Sequence, residues 1–200
     1  MTNSQAALTR LKEGNARFVA SLNQPADNTP VYRPAEHVEG QSPFAIVLSC
    51  SDSRVPMEAV FNQGLGDLFV VRVAGNIAAP SQIGSIEFAA QKFGTRLIVV
   101  MGHSHCGAIA ATLQAVANPD AKASPALTTI VNEIVPAVAP LVGTDLSGHD
   151  LMQQAIRENV LATVAQLTSC SEVLSDLAET DGLIIVGAEY SLESGEVEFY

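Results

Sequence analysis

The sequence predicts one α/β domain: a central, mostly parallel sheet of four strands with an antiparallel edge strand, helices on both faces and an N-terminal helical arm. Three observations predict it. Apolar runs at 44–48, 67–73, 96–101 and 183–186 are short and rich in valine and isoleucine, as strands buried on both faces are. Helical stretches stand between these runs, the alternation that builds a parallel sheet. Two of the runs lead straight into thiol and imidazole side chains, Cys50 after the first and His103 with Cys106 after the third. Open α/β sheets gather their ligands at that carboxyl edge.

Residues 4–22 carry Ala7, Leu8, Leu11, Phe18, Val19 and Leu22 at helical spacing. Gly14 and Asn15 weaken this helix, so tertiary or intersubunit contacts must hold it. Residues 23–43 contain four of the ten prolines (Pro25, Pro30, Pro34, Pro43) and read as an extended arm. Residues 1–43 are thus expected to pack on a partner subunit, within one domain spanning 1–200. The first strand runs to Cys50. Pro56 opens a short helical turn through Val60, which Gly64 and Gly66 break. Asp67 to Val73 is the second strand. Ser81 to Phe93 reads as an amphipathic helix with Ser81 as N-cap and Gly94 as its stop. Arg96 to Met101 is the third strand, and a helix leaves Cys106 through Ala117. Pro119 and Pro125 bracket a loop, and the helical region beyond is expected to be interrupted at Pro136 and Pro140. Residues 146–178 read as mostly helical. Leu183 to Val186 is the fourth buried strand, and Glu196 to Tyr200 alternates as the edge strand.

Two hundred residues support a single domain with a full core. Hydrophobic residues make up 48% and mean hydropathy is positive, so some apolar surface is expected to be covered by another copy. The net charge of −11, without a basic stripe, excludes nucleic acid and anionic membranes as partners. The N-terminal stretch has no signal-peptide core, and no run is long enough to span a bilayer. Cysteines at 50, 106 and 170 make no disulfide framework. They fit a metal site in a reducing compartment, hence a cytoplasmic location.

Two thiols and one imidazole suit zinc, and three protein ligands leave a vertex for water, as catalytic sites do. His103 and Cys106 form an H-x-x-C chelate that closes at a tight turn. His105 adjoins Cys106, where side chains diverge; it reads as a bystander or a solvent-side proton carrier. A buried free cysteine is often only a small hydrophobe. Cys170, inside a helical stretch with no nearby ligand, reads as a plain core or surface thiol. Asp52 and Arg54 lie two and four residues beyond the first thiol. The guanidinium can keep the carboxylate ionised and aimed at the metal's water; the plain alternative is a pair capping the next helix.

These residues resemble the signature of the β-class carbonic anhydrases: C-x-D-x-R at 50–54 and G-H-x-x-C-G at 102–107. The likeness extends through 66–72, 74–76 and 85–89, and through the N-terminal stretch 11–18. It implies a zinc enzyme that converts CO2 and water to bicarbonate and a proton by zinc-hydroxide attack, with zinc on Cys50, His103 and Cys106. Asp52 would orient the hydroxide and Arg54 would fix Asp52. The obligate unit would be a homodimer, or two such dimers paired into a tetramer. In related enzymes an unpaired equivalent of Asp52 swings onto zinc as a closed-state fourth ligand. The resemblance also implies a substrate pocket of Gln41, Phe69, Ala74, Phe88 and Gly107, with Gln41 serving a neighbouring subunit's site. It favours the constitutively open branch of the family. The bicarbonate-gated branch carries a tryptophan where this chain has Val47, although Arg72 and Tyr190 match that branch's arginine and tyrosine. Two alternatives keep the fold: a CS2 or COS hydrolase, and a non-catalytic zinc-stabilised assembly module.

Overall fold

A computed structural model describes residues 3–22, 38–120 and 123–200. Helix α1 (Ser4–Ser21) precedes strand β1 (Ala45–Ser49), the short helix α2 (Met57–Val60) and strand β2 (Leu68–Arg72). Helix α3 (Pro80–Lys92), strand β3 (Leu97–His103), helix α4 (Gly107–Ala117) and helix α5 (Pro125–Val138) follow. Helices α6 (Gly148–Cys170) and α7 (Glu172–Thr180) then lead to strands β4 (Ile184–Tyr190) and β5 (Val197–Phe199). The strand order is β2-β1-β3-β4-β5, parallel except for the β4–β5 pair.

The core splits across the sheet by the two-residue period of the strands. Ala45, Val47, Leu97, Val99 and Met101 face one layer, with Ile109 of α4 and Ile134 and Val138 of α5. Ile46, Leu48, Ile98 and Val100 face the other, with Ile86, Ala89 and Ala90 of α3 and Leu174 of α7. Helix α6 spans both layers, giving Ala155 and Ile156 to the first and Val160 and Leu167 to the second. Every residue of β1 and β3 is buried, which explains why these strands read as unbroken apolar runs.

The strand order also places the site. After β1 the chain moves to one neighbour, β2, and then crosses to the other, β3, so the order reverses at β1/β3. Ligands settle at such a switch point, outside the carboxyl ends of the strands. Cys50 follows β1, and His103 closes β3.

Several boundaries differ from expectation. Ser81 is not the cap of α3: Ala79 holds that position, Pro80 opens the helix, and Ser81 accepts from Ser85 within its first turn. Proline at the first position needs no hydrogen-bonded N–H, which shifts the start by one residue. Pro125 likewise opens α5, behind a Ser124 cap that accepts from Leu127 N–H. Pro136 does not interrupt α5, which continues to Val138; the proline falls in the last turn, where little helix remains to break. Strand β3 runs two residues beyond Met101, so His103 belongs to the sheet and not to the loop after it.

Helix α1 spends much of its apolar stripe on its own chain, with Ala7 and Leu11 fully buried. The two residues that weaken the helix are the ones that dock it. Asn15 Nδ2 donates to Val60 O and Gly195 O, and its Oδ1 accepts from Val197 N–H. Gly14 lets the helix approach α2 so closely that a Cβ there would stand 1.9 Å from Phe61 O. Gly14→Ala is therefore expected to destabilise the fold by about 1–3 kcal/mol despite alanine's better helix propensity. Urea unfolding midpoints test this; an unchanged midpoint would contradict the close approach. Of the expected arm, 23–37 lies outside the described residues, while Gln41 is exposed and Pro43 is buried beneath Thr95, whose Oγ1 donates to Pro43 O.

Candidate functional site

One ligand atom each from Cys50, His103 and Cys106 lies within 4.8 Å of the other two, and all three residues are buried. Among the described residues no other such cluster of three occurs. Each donor arrives for a local reason. Cys50 leaves β1 as the chain turns outward. Its Sγ accepts from Gly75 N–H at 3.4 Å. Gly75 sits at φ +75 in a 3-10 turn, Ala74–Asn76, with Ile134 and Ala108 against the space a Cβ would fill. Cys106 is the residue before α4, at the positive end of that helix, which favours a thiolate. His103 is 1% exposed; its Nδ1–H donates to Ser104 O at 2.8 Å, leaving the Nε2 lone pair free.

That Nε2 has no hydrogen-bond partner. An orphaned buried acceptor facing two thiols is costly unless a cation completes it. Zinc bonds of about 2.0–2.3 Å to nitrogen and sulfur suit this spacing and this donor set. The residues present therefore fit a bound metal. In the chain alone the thiols lean on each other. The Cys106 thiol hydrogen-bonds to Cys50 and holds it well below the usual thiol range, with burial opposing and His103 and Gly75 assisting; Cys106 is driven up in return. Burial pushes His103 down, but the nearby Cys50 sulfur and the hydrogen bond to the Ser104 carbonyl outweigh it, and its pKa ends above the ordinary value.

Asp52 and Arg54 meet face to face. Arg54 donates from Nε to Oδ1 at 2.9 Å and from Nη2 to Oδ2 at 2.7 Å, and its backbone N–H adds a bond to Oδ1 at 3.0 Å. The guanidinium holds the carboxyl far below the usual carboxylate range, against a small opposing effect of burial. Asp52 Oδ2 stands 3.9 Å from His103 Nε2, so the carboxylate borders the space between the metal donors. It faces Arg54 and not the thiols.

The remaining predicted pocket residues divide. Ala74 and Gly107 adjoin the site, next to Gly75 and Cys106. Gln41 is exposed ahead of β1. Phe69 and Phe88 lie away from their own chain's Cys50–His103–Cys106 cluster. Phe69 pairs with Ile46 across β1 and so points to the α3 layer, whereas Cys50 and Cys106 belong to the opposite one. There Phe69, Phe88 and Phe93 form an aromatic cluster with centroids 5.8–6.3 Å apart, and Phe88 is 53% exposed. His105 turns outward to Glu193, Val47 is buried in β1, and Tyr190 lies opposite His103 in the sheet. Cys170 is an exposed free thiol at the end of α6, and His149 lines a cavity of about 330 Å³ beside His105.

Arg72 is a site residue whose role sequence reading missed. Its Nε donates to Cys50 O at 3.1 Å and its Nη2 to Asp52 O at 2.6 Å, bracing the loop that carries the first thiol and the carboxylate. The signal was the strand register, which places Arg72 opposite Ser49 at the sheet's edge.

Comparisons with known proteins converge on one family. The sequence profile of the carbonic anhydrase family matches residues 45–197. Carbonic anhydrase 2 of Mycobacterium tuberculosis is 40% identical over 194 residues, covering 97% of this chain and 91% of that protein. The carbonic anhydrase of Mycolicibacterium smegmatis is 40% identical over 200 residues, covering 98% of this chain and 93% of the relative. The solved β-carbonic anhydrase of Coccomyxa, in complex with acetazolamide, superposes with a TM-score of 0.73 at 25% identity, covering 96% of this chain and 85% of that one.

Proposed function

The chain belongs to the β-class carbonic anhydrases and interconverts CO2 and bicarbonate; from that premise we propose that Cys50, His103 and Cys106 hold a zinc ion and that Asp52, fixed by Arg54, governs the water beside it. The observation that carries this reading is the buried Cys50–His103–Cys106 cluster with an unpartnered imidazole nitrogen. When bound, zinc supplies a Lewis acid that acidifies a water into a nucleophile, to a pKa of about 7 in the three-histidine carbonic anhydrases and less strongly here, where two thiolates donate more charge.

The chain's own residues do the rest. Arg54 keeps Asp52 ionised, so the carboxylate accepts a hydrogen bond from the reacting water and turns its lone pair toward the CO2 carbon. Arg72 and Gly75 keep Cys50 and Asp52 in register with each other. Gln41, Phe69 and Phe88 reach a substrate only at the site of a second copy, which supports a homodimer, or a dimer of dimers; the exposed Phe88 edge is consistent with such burial. With Asp52 turned to Arg54, the site is read as the open subtype. Two reduced thiols at the metal support a cytoplasmic setting, and no helix among the described residues is long and apolar enough to cross a membrane.

Stopped-flow CO2 hydration against pH, with and without chelator, tests this reading. Asp52 stays ionised throughout, so the profile is expected to show no carboxylate limb and to rise from neutrality into the alkaline range. Chelator is expected to abolish the rate. A rate that declines above neutrality, or survives metal removal, would contradict the assignment. Turnover of COS or CS2 in preference to CO2 would favour the hydrolase alternative.

A further inference from the structure

Ser104 and His105 stand between two metal donors, and a single distant carboxylate ties both down. Glu193 lies in the turn between β4 and β5. Its Oε2 accepts from Ser104 Oγ at 2.8 Å and from Ser191 Oγ at 3.1 Å, while its Oε1 accepts from His105 Nε2. Hydrogen bonds from Ser104 and His105 hold its own carboxyl down to about 2, so it is ionised. Ser104 is held twice more: its Oγ accepts from Leu192 N–H of that turn at 2.9 Å, and its own N–H donates to O of Tyr190, the last residue of β4, at 3.0 Å.

The backbone of the same two residues faces the other way. Ser104 O accepts from His103 Nδ1–H, which sets the tautomer that leaves Nε2 free for a metal. His105 O accepts from Arg54 Nη2 at 3.4 Å. His105 itself sits at φ 55, a conformation that a residue with a side chain keeps only when its surroundings hold it.

We propose that Glu193 is a positioning residue for the metal site: by clamping the side chains of Ser104 and His105, it fixes the two carbonyls that orient the His103 imidazole and the Arg54 guanidinium. This rests on the metal reading above. The His105 and Glu193 side chains are 60% and 56% exposed, and a pair so exposed contributes little to global stability. The clamp's effect therefore falls on metal retention and geometry and not on unfolding.

Cobalt(II) loaded into the purified protein is the probe, followed by its visible absorption bands and by its release to excess chelator. Removing an outer partner of a metal-bound histidine typically weakens metal binding about 10- to 100-fold. Glu193 acts one bond further out, so Glu193→Ala is expected to speed release about 3- to 10-fold and to alter the cobalt bands. Glu193→Gln, whose amide oxygen still accepts from Ser104 and Ser191, is expected to recover part of the loss. Glu196→Gln removes a charge from the same turn and is expected to match wild type. Ser104→Ala reaches the same clamp from its other end and serves if Glu193→Ala does not fold; the double variant is expected to be no worse than the more impaired single variant. Wild type holding cobalt while Glu193→Ala leaves release and bands unchanged would overturn the clamp alone, as would strictly additive losses in the double variant. Wild type retaining no cobalt would overturn the metal reading and the clamp with it.

Discussion

His103→Ala is expected to lose the metal and to lower CO2 hydration by on the order of 10³-fold or more, since a metal Lewis acid contributes several kcal/mol to such a reaction. The imidazole is almost wholly buried, and its Nε2 has nothing else to bind. Removing it deletes one of three donors and leaves two thiols that cannot alone satisfy a tetrahedral ion. The fold should survive, because the ring hydrogen-bonds only to the adjoining Ser104 carbonyl and its removal deletes an unsatisfied polar atom. Metal analysis, circular dichroism and stopped-flow rates on the same preparation separate these effects. Cys170→Ser is the control, an exposed thiol at the end of α6 that should change nothing. Full metal content and activity in His103→Ala would move the nitrogen ligand elsewhere and refute the assignment.

The second large effect belongs to Asp52. Asp52→Asn is expected to keep its metal yet lose about 10²- to 10⁴-fold in kcat, the usual contribution of a positioned proton acceptor. The amide has nearly the same shape but no charge, so it neither retains the ion pair with Arg54 nor accepts at both atoms. Arg54→Ala reaches the same carboxylate from the other side. It removes both side-chain bonds to Asp52, and the pKa that Arg54 held down should rise toward the ordinary carboxylate value of about 3.9. A depressed carboxyl stabilises the fold above its unfolded pKa, and that contribution fades as pH falls through the folded value. The lost stability should therefore appear at neutral pH and vanish in acid. It should be small, because the Arg54 side chain is 53% exposed and solvent screens the pair. Activity should suffer far more than stability, since an untethered carboxylate 3.9 Å from His103 Nε2 is close enough to compete for the metal. Wild-type rates in Asp52→Asn would remove the carboxylate from the mechanism.

The Cys50–His103–Cys106 cluster was legible because Cys50 follows β1, His103 closes β3 and Cys106 lies three residues beyond it, and both strands are recognisable as buried apolar runs. Their meeting required only that β1 and β3 be parallel neighbours, which the switch-point topology supplies. Asp52 and Arg54 were legible for a simpler reason: two residues apart, they meet through a local turn. Arg72 was harder, since its contacts depend on the register of β2 against β1. Glu193 carried little local signal, because Ser104 and His105 lie some 88 residues away in sequence and meet it only because β3 and β4 are neighbours in the sheet. Phe69 and Phe88 were legible as residue types but not in their placement. Their residue types fitted a CO2 seat, but strand alternation sends Phe69 to the layer away from its own thiols. Pro80 and Pro136 shifted boundaries for reasons of position: a proline is harmless in a helix's first turn and tolerated in its last.

X-ray absorption at the zinc edge of the purified, metal-loaded protein reads the donor set itself. Two sulfur atoms at about 2.3 Å, one imidazole nitrogen at about 2.0–2.1 Å and one further light atom are expected. A shell of four sulfurs, or one without sulfur, would contradict that donor set.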